Sequence, residues 1–181
     1  MEETVATGCV VKLDRGFPLV RLEDGRELRC KHATSLVKGE RVRAVIGDRV
    51  RVSFAERNDK ALIVEVLPRT RELVRKDPTE RAVPQVLAAN FDRVVVTQPS
   101  TEVNMRRLER ELVLAHETGA AVSVVLTKAD LAESEDEVVR VRERVLALVG
   151  ADVETLVVSE AMPESVEAVR ALVPEGTTAV L

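Results

Sequence analysis

The chain has 181 residues, which suits one medium domain or two small ones, and its 45% hydrophobic content is enough to build a core without disulfides. Charged residues make up 32% and are mixed in sign, so wholesale disorder is not indicated. Three Phe with no Tyr or Trp weigh against recognition by stacked aromatic platforms. The net charge of −4 hides an asymmetry: residues 1–82 carry 18 basic against 14 acidic side chains, and residues 83–181 carry 9 against 17. A basic front and an acidic back fit two domains with different partners.

Residues 5–67 read as five short strands separated by turn chemistry. Val5–Leu13 is the first run, closed by Asp14-Arg15-Gly16, and Phe17–Leu22 is the second. Glu23-Asp24-Gly25-Arg26 is a hairpin signal of the Asp-Gly kind, and Glu27–Lys31 alternates polar and apolar residues as a half-buried strand does. Val37–Arg41 turns the chain toward a strand over Ile46–Val52, and Ala61–Leu67 ends the series at Pro68. Five such strands suggest a small closed barrel of the OB type, with an SH3-like barrel giving much the same pattern. Cys9 and Cys30 fall in strands and read as free thiols. Cys30 and His32 together are two potential ligands where zinc wants four, so no metal site is expected.

Residues 69–89, with Pro78, Pro84 and the charge cluster Arg69–Lys76, read as a partly extended linker. From residue 90 the period changes. Arg93–Thr97, Ala121–Leu126, Val153–Val158 and Thr177–Leu181 are apolar runs fit for strands buried on both faces. Between them lie helical patterns. One is capped by Asn104, with Met105, Leu108, Leu112 and Ala115 on a single face. The second opens with the capping box Ser134–Glu137 and carries Val138, Val141, Val145 and Leu148. The third is short, over Ser165–Leu172. Alternating strands and helices imply a parallel sheet with right-handed crossovers, and such sheets bind ligands at the carboxyl ends of their strands. The expected domains are 1–68, a linker over 69–89, and 90–181.

That rule directs attention to Thr127-Lys128-Ala129-Asp130, at the end of the second strand of this region. A carboxylate at Asp130 can accept two hydrogen bonds from adjacent N–H and amino donors, the edge guanine presents and adenine lacks. If buried, it would select guanine by being left unpaired otherwise. The aliphatic stem of Lys128 can lie over a base while its ammonium stays wet, and Thr127 offers a hydroxyl to tie the loop down. Ser159-Glu160-Ala161, at the end of the next strand, stands where a backbone amide or hydroxyl can touch the same base, a helix cap or turn being the other reading of Ser159.

Taken in order, Ile46-Gly47-Asp48-Arg49-Val50, Glu65-Val66-Leu67-Pro68-Arg69, the Val86–Arg93 segment, the Asn104/Arg107/Glu111 helix and the loop of Asp130 resemble the ribosome small-subunit-dependent GTPases over residues 5–181. The resemblance implies an OB-fold RNA-contacting barrel followed by a GTPase domain, circularly permuted so that the guanine-reading loops precede the phosphate loop. It implies GTP and GDP as ligands, the small ribosomal subunit and its rRNA as partners, and a role in late maturation of that subunit. Lys12, Arg15, Arg21, Arg26, Arg29 and Lys31 become the candidate RNA contacts, and a cytoplasmic, membrane-free, monomeric protein is expected. Two departures stand out. The usual Asn-Lys-x-Asp is Thr-Lys-Ala-Asp here, and a Ser-Ala-Lys-like loop is Ser-Glu-Ala. No Gly-x-x-x-x-Gly-Lys-Ser/Thr string occurs in these residues. The chain is therefore expected to be truncated before the phosphate loop, with no catalytic residue of its own, GTP met on the guanine side only, and Mg and Zn belonging to the missing carboxyl-terminal part. A stand-alone ribosome-binding OB module and an inactive remnant are the alternatives.

Overall fold

The computed structural model describes residues 4–14, 16–40, 42–55, 58–75 and 85–181. They form two compact units, Met1–Asn90 and Phe91–Leu181.

In the first unit, β1 (Thr4–Asp14), β2 (Phe17–Leu22), β3 (Glu27–His32), β4 (Arg49–Ala55) and β5 (Asn58–Val66) close a barrel in the order β1-β2-β3-β5-β4. Alternation builds it: Val20 and Leu22, then Val50 and Val52, point inward while Arg21, Arg49 and Arg51 point out. β1 is long enough to pair with both β2 and β4, and β3 pairs parallel with β5. That closure is the OB arrangement and decides the choice that periodicity left open. A helical turn over Ser35–Glu40, where sequence suggested a turn at 37–41, seats Leu36 in the barrel core beside Val10, Cys30 and Ile63. Burial pushes the Cys30 thiol up to about 11.

The strand expected at Ile46–Val52 begins later, at Arg49, because Ile46–Asp48 is a bend. Gly47 has φ +88°, and a Cβ there would lie 1.9 Å from Ala89 O. Asp48 is fully buried, accepts from Val45 N–H at 2.8 Å, and meets Arg69 through two bonds of 2.8 and 2.9 Å. Arg69 also donates to Glu72 at 3.1 Å. Its pKa is pushed further up, chiefly by the Asp48 hydrogen bonds. Residues 69–89 are more than a linker. β6 (Glu72–Arg75) and β7 (Gln85–Ala89) pair antiparallel, Ala89 N–H donates to Ile46 O at 3.0 Å, and Asn90 Nδ2 donates to Gly47 O at 3.0 Å. Pro78 and Pro84 lie outside the described residues.

In the second unit, β8 (Arg93–Pro99), β9 (Ala121–Thr127), β10 (Glu154–Val157) and β11 (Ala179–Val180) make a parallel sheet in the order β10-β9-β8-β11. α1 (Met105–Glu117), α2 (Glu135–Val149) and α3 (Pro163–Ala171) are the crossovers. Asn104 Oδ1 caps α1 by accepting from Arg107 N–H at 3.0 Å, and α1 buries Leu108, Leu112 and Ala115. Ser134 caps α2, but Glu137 reaches back to the N–H of Glu133 at 2.8 Å rather than to that of Ser134. On the other face, Val95 and Val125 pack with Leu172. At the amino edge of the sheet, Asp92 Oδ2 accepts from Thr178 N–H at 2.9 Å, and Arg93 bonds Ser123 and lies 3.7 Å from Glu154. No helix among the described residues is long and apolar enough to cross a membrane.

Gly47→Ala is expected to destabilise the first unit by about 2–4 kcal/mol, since both its positive φ and the Ala89 carbonyl oppose a side chain; thermal melting reads this directly. His32 Nε2 accepts from Ala44 N–H at 2.9 Å, and burial, aided by the Arg43 charge, holds its pKa below the usual value. Folding thus favours the neutral ring. Its contribution is complete above about pH 6.5 and drains as pH falls below that value. The melting temperature should drop on acidification to pH 5.5, and His32→Gln should flatten that part of the slope.

Candidate functional site

β9 and β10 run parallel in register, Leu126 beside Val157, so the loops that leave them emerge at one edge. After Thr127 the backbone enters the left-handed region at Lys128 (φ 59°, ψ 39°) and closes a short 3-10 turn over Ala129–Leu131. A lysine there is strained relative to glycine, and the left-handed turn brings Ala129 and Asp130 back toward β10. Ala129 N–H then donates to Val158 O at 3.3 Å. Ser159, only 2% exposed, donates from Oγ to Asp130 Oδ1 at 2.6 Å and accepts from Ala161 N–H at 3.1 Å. Ser165, in the first turn of α3, accepts from Ser159 N–H at 3.1 Å and lies 2.6 Å from Met162 O.

Thr127, Lys128, Asp130, Leu131, Val158, Ser159, Glu160 and Val166 line a cleft of about 540 Å³. Five of the seven residues singled out from sequence, Thr127, Lys128, Asp130, Ser159 and Glu160, line it, and Ala129 and Ala161 supply backbone N–H groups. Asp130 is exposed rather than buried, so its desolvation must come from whatever fills the cleft. One of its oxygens is engaged by Ser159, and the carboxylate remains an acceptor for adjacent N–H donors. Leu131, 64% exposed, offers an apolar surface beside it. Ser165 and Val166 escaped the sequence reading. The only signal for them was their place in a helix directly after the Ser159 loop. Thr127 Oγ1 lies 3.4 Å from Gln98 O, a long bond to the neighbouring strand.

The basic candidates of the barrel divide. Register places Lys12, Leu19 and Arg29 in one row across β1-β2-β3, with Arg21 and Lys31 on the same outer side of their strands. Arg21 pairs with Glu27 at 2.8 Å, Arg26 with Asp24 at 2.7 Å and Arg29 with Asp14 at 3.4 Å. Arg29 and Lys31 also lie 5.0 and 5.8 Å from the Phe17 ring centre. Arg26 sits over Phe54 instead, in the β2–β3 turn. Arg15 lies outside the described residues. Among those described, no group of His, Cys, Asp and Glu is arranged to hold a metal ion.

The sequence model of the RsgA GTPase family matches residues 66–181. This chain belongs to that family. It is 36% identical over 188 residues to the small ribosomal subunit biogenesis GTPase RsgA of Streptomyces coelicolor, covering 99% of this chain and 48% of that protein. It is 37% identical over 140 residues to the protein of the same name from Xanthomonas campestris pv. campestris, covering 77% of this chain and 36% of that one. The chain thus spans about half or less of the length of these curated relatives. The crystal structure of YjeQ from Thermotoga maritima superposes with a TM-score of 0.74 at 21% identity, over 97% of this chain and 59% of that one. YloQ, a circularly permuted GTPase, gives 0.69 at 18% identity, over 97% and 58%. These likenesses establish the fold: an OB-type barrel followed by part of a parallel-sheet domain of the permuted GTPase kind.

Lys128 provides a local test. Lys128→Val, β-branched at positive φ, is expected to destabilise the second unit by about 1–2 kcal/mol, whereas Lys128→Gly should stay within about 1 kcal/mol of wild type. Thermal denaturation of the two variants distinguishes them.

Proposed function

We propose that residues 127–131 and 158–161 read the guanine base of GTP or GDP, and that the chain is the amino-terminal portion of a GTPase acting on the small ribosomal subunit late in its maturation. The observation that carries this reading is the Ser159–Asp130 bond of 2.6 Å, which joins two strand-end loops at the floor of one cleft. Asp130 accepts from the N1–H and 2-amino groups of guanine. The Lys128 stem covers one face of the ring, and Leu131 supplies apolar surface. The family to which the chain belongs supports GTP as the nucleotide, and the relatives' names support the small subunit as the place of action. Phosphate binding, magnesium and hydrolysis require a loop of the Gly-x-x-x-x-Gly-Lys-Ser/Thr kind, which residues 1–181 do not contain. In this reading hydrolysis, and the zinc segment implied by resemblance, belong to the longer protein, and these residues alone do not turn over GTP. The working compartment is the cytoplasm and the working form a monomer.

The barrel is proposed to contact rRNA through Lys12, Arg21, Arg29 and Lys31, which share one outer face, and through Arg26 and Arg15. The ion pairs that hold Arg21, Arg26 and Arg29 are exposed and weak, so phosphates can replace the carboxylates at small cost.

Exchange of one atom type tests the base reading. Asp130→Asn replaces an acceptor pair by one acceptor and one donor, which matches xanthine, with its N1–H and 2-carbonyl, better than guanine. The variant is expected to lose guanosine affinity by about tenfold or more and to gain xanthosine affinity, followed by titration. Unchanged preference in the variant would contradict the reading. For the barrel, binding to small subunits should weaken steeply between 50 and 200 mM salt, and Lys12→Ala with Lys31→Ala should flatten that slope.

A further inference from the structure

Gln98 sits near the end of β8 on the face that α1 covers, in register with Leu126 of β9, and is 4% exposed. An apolar residue would be ordinary there, following Val94 and Val96 on the same face. A buried amide is costly unless its bonds are made. Its Nε2 donates to Glu111 Oε2 at 2.8 Å, and the other oxygen of Glu111 accepts from Arg107 Nε at 2.7 Å. Arg107 and Glu111 are one turn apart on α1, so Arg107, with most of its side chain in solvent, fixes the rotamer of Glu111.

The same stretch of β8 holds the first residue of the guanine loop. Gln98 O takes the Thr127 hydroxyl at 3.4 Å, and Ser100 N–H donates to Thr127 O at 2.7 Å. Thr127 stands where the family usually has Asn, and its short hydroxyl reaches no further than the adjoining strand. The loop's placement therefore depends on where the end of β8 lies, and α1 fixes that end through Gln98.

We propose that Gln98 and Glu111 are positioning residues for the guanine-reading loop, a polar chain running Arg107–Glu111–Gln98 to the β8 carbonyl that holds Thr127. The proposal rests on the reading of Thr127–Asp130 as the guanine reader.

Three variants of the 181-residue chain test it: Glu111→Ala, the exposed Arg107→Ala, and the conservative Glu111→Gln, whose amide oxygen can still accept from Arg107 while its amide N–H donates to a turned-over Gln98 amide. Two readouts are taken: amide hydrogen exchange without ligand, and titration with guanosine and with adenosine. In Glu111→Ala, exchange at Ser100 should quicken by about fivefold while Ala129, bonded to β10, stays as in wild type. Guanosine affinity should fall by about three- to tenfold with no change for adenosine. Arg107→Ala should move both readouts the same way by less, and it serves if Glu111→Ala does not fold. Glu111→Gln should keep both close to wild type. Wild-type exchange at Ser100 in Glu111→Ala and Arg107→Ala, or wild-type guanosine affinity in them, overturns the proposal. A wild-type chain that binds guanosine no better than adenosine, with Ser100 exchange still dependent on Glu111, defeats the base reading and leaves the link between α1 and the loop standing.

Discussion

A hydroxyl and a carboxylate 29 residues apart in sequence meet at 2.6 Å because β9 and β10 are parallel and in register. Parallel pairing forces each crossover helix to begin at the same edge of the sheet, so loops after successive strands become neighbours without any direct instruction between them. Ser159 is buried and spends its bonds on Asp130 and Ala161, while Ser165 holds its backbone. The carboxylate is thus aimed before any ligand arrives, and a base that pairs with it meets an oriented acceptor rather than a mobile one.

The first unit depends on a comparable convergence. The bend at Ile46–Asp48 receives Arg69 from the segment after β5 and Ala89 and Asn90 from the end of β7. Three sequence segments that carry the family resemblance therefore meet at one point. Asp48 is fully buried and its charge is compensated by a bidentate guanidinium, so removing Arg69 would strand the carboxylate, at a cost of about 3–5 kcal/mol. Gly47 is needed because β7 passes where a side chain would be.

Much of this was legible in the residues. The valine runs of β8 and β9 announced buried parallel strands, Asn104 and Ser134 announced helix starts, and the place of Thr127–Asp130 at a strand end pointed to the edge of the sheet where the cleft opens. The bend at Ile46 was not, because Ile-Gly-Asp-Arg-Val alternates like a strand, and only tertiary contact with Ala89 imposes the positive φ on Gly47. Residues 69–89 read as a linker because pairing of β6 with β7 is a long-range event that short segments flanked by prolines do not advertise. The exposure of Asp130 also lay beyond pattern, since it reflects a cleft open to solvent rather than local chemistry. Ion pairing of Arg26 with Asp24 was nearer to hand, being two residues distant, yet charge counts treat both as solvated.

The guanine-reading claim is met most directly by mapping guanosine onto the chain through backbone amide chemical shifts, with adenosine as the comparison. Shifts should concentrate at Lys128–Leu131 and Ser159–Ala161 with guanosine, with none of that pattern with adenosine. Equal perturbation by the two nucleosides, or a guanosine footprint away from these loops, would contradict it.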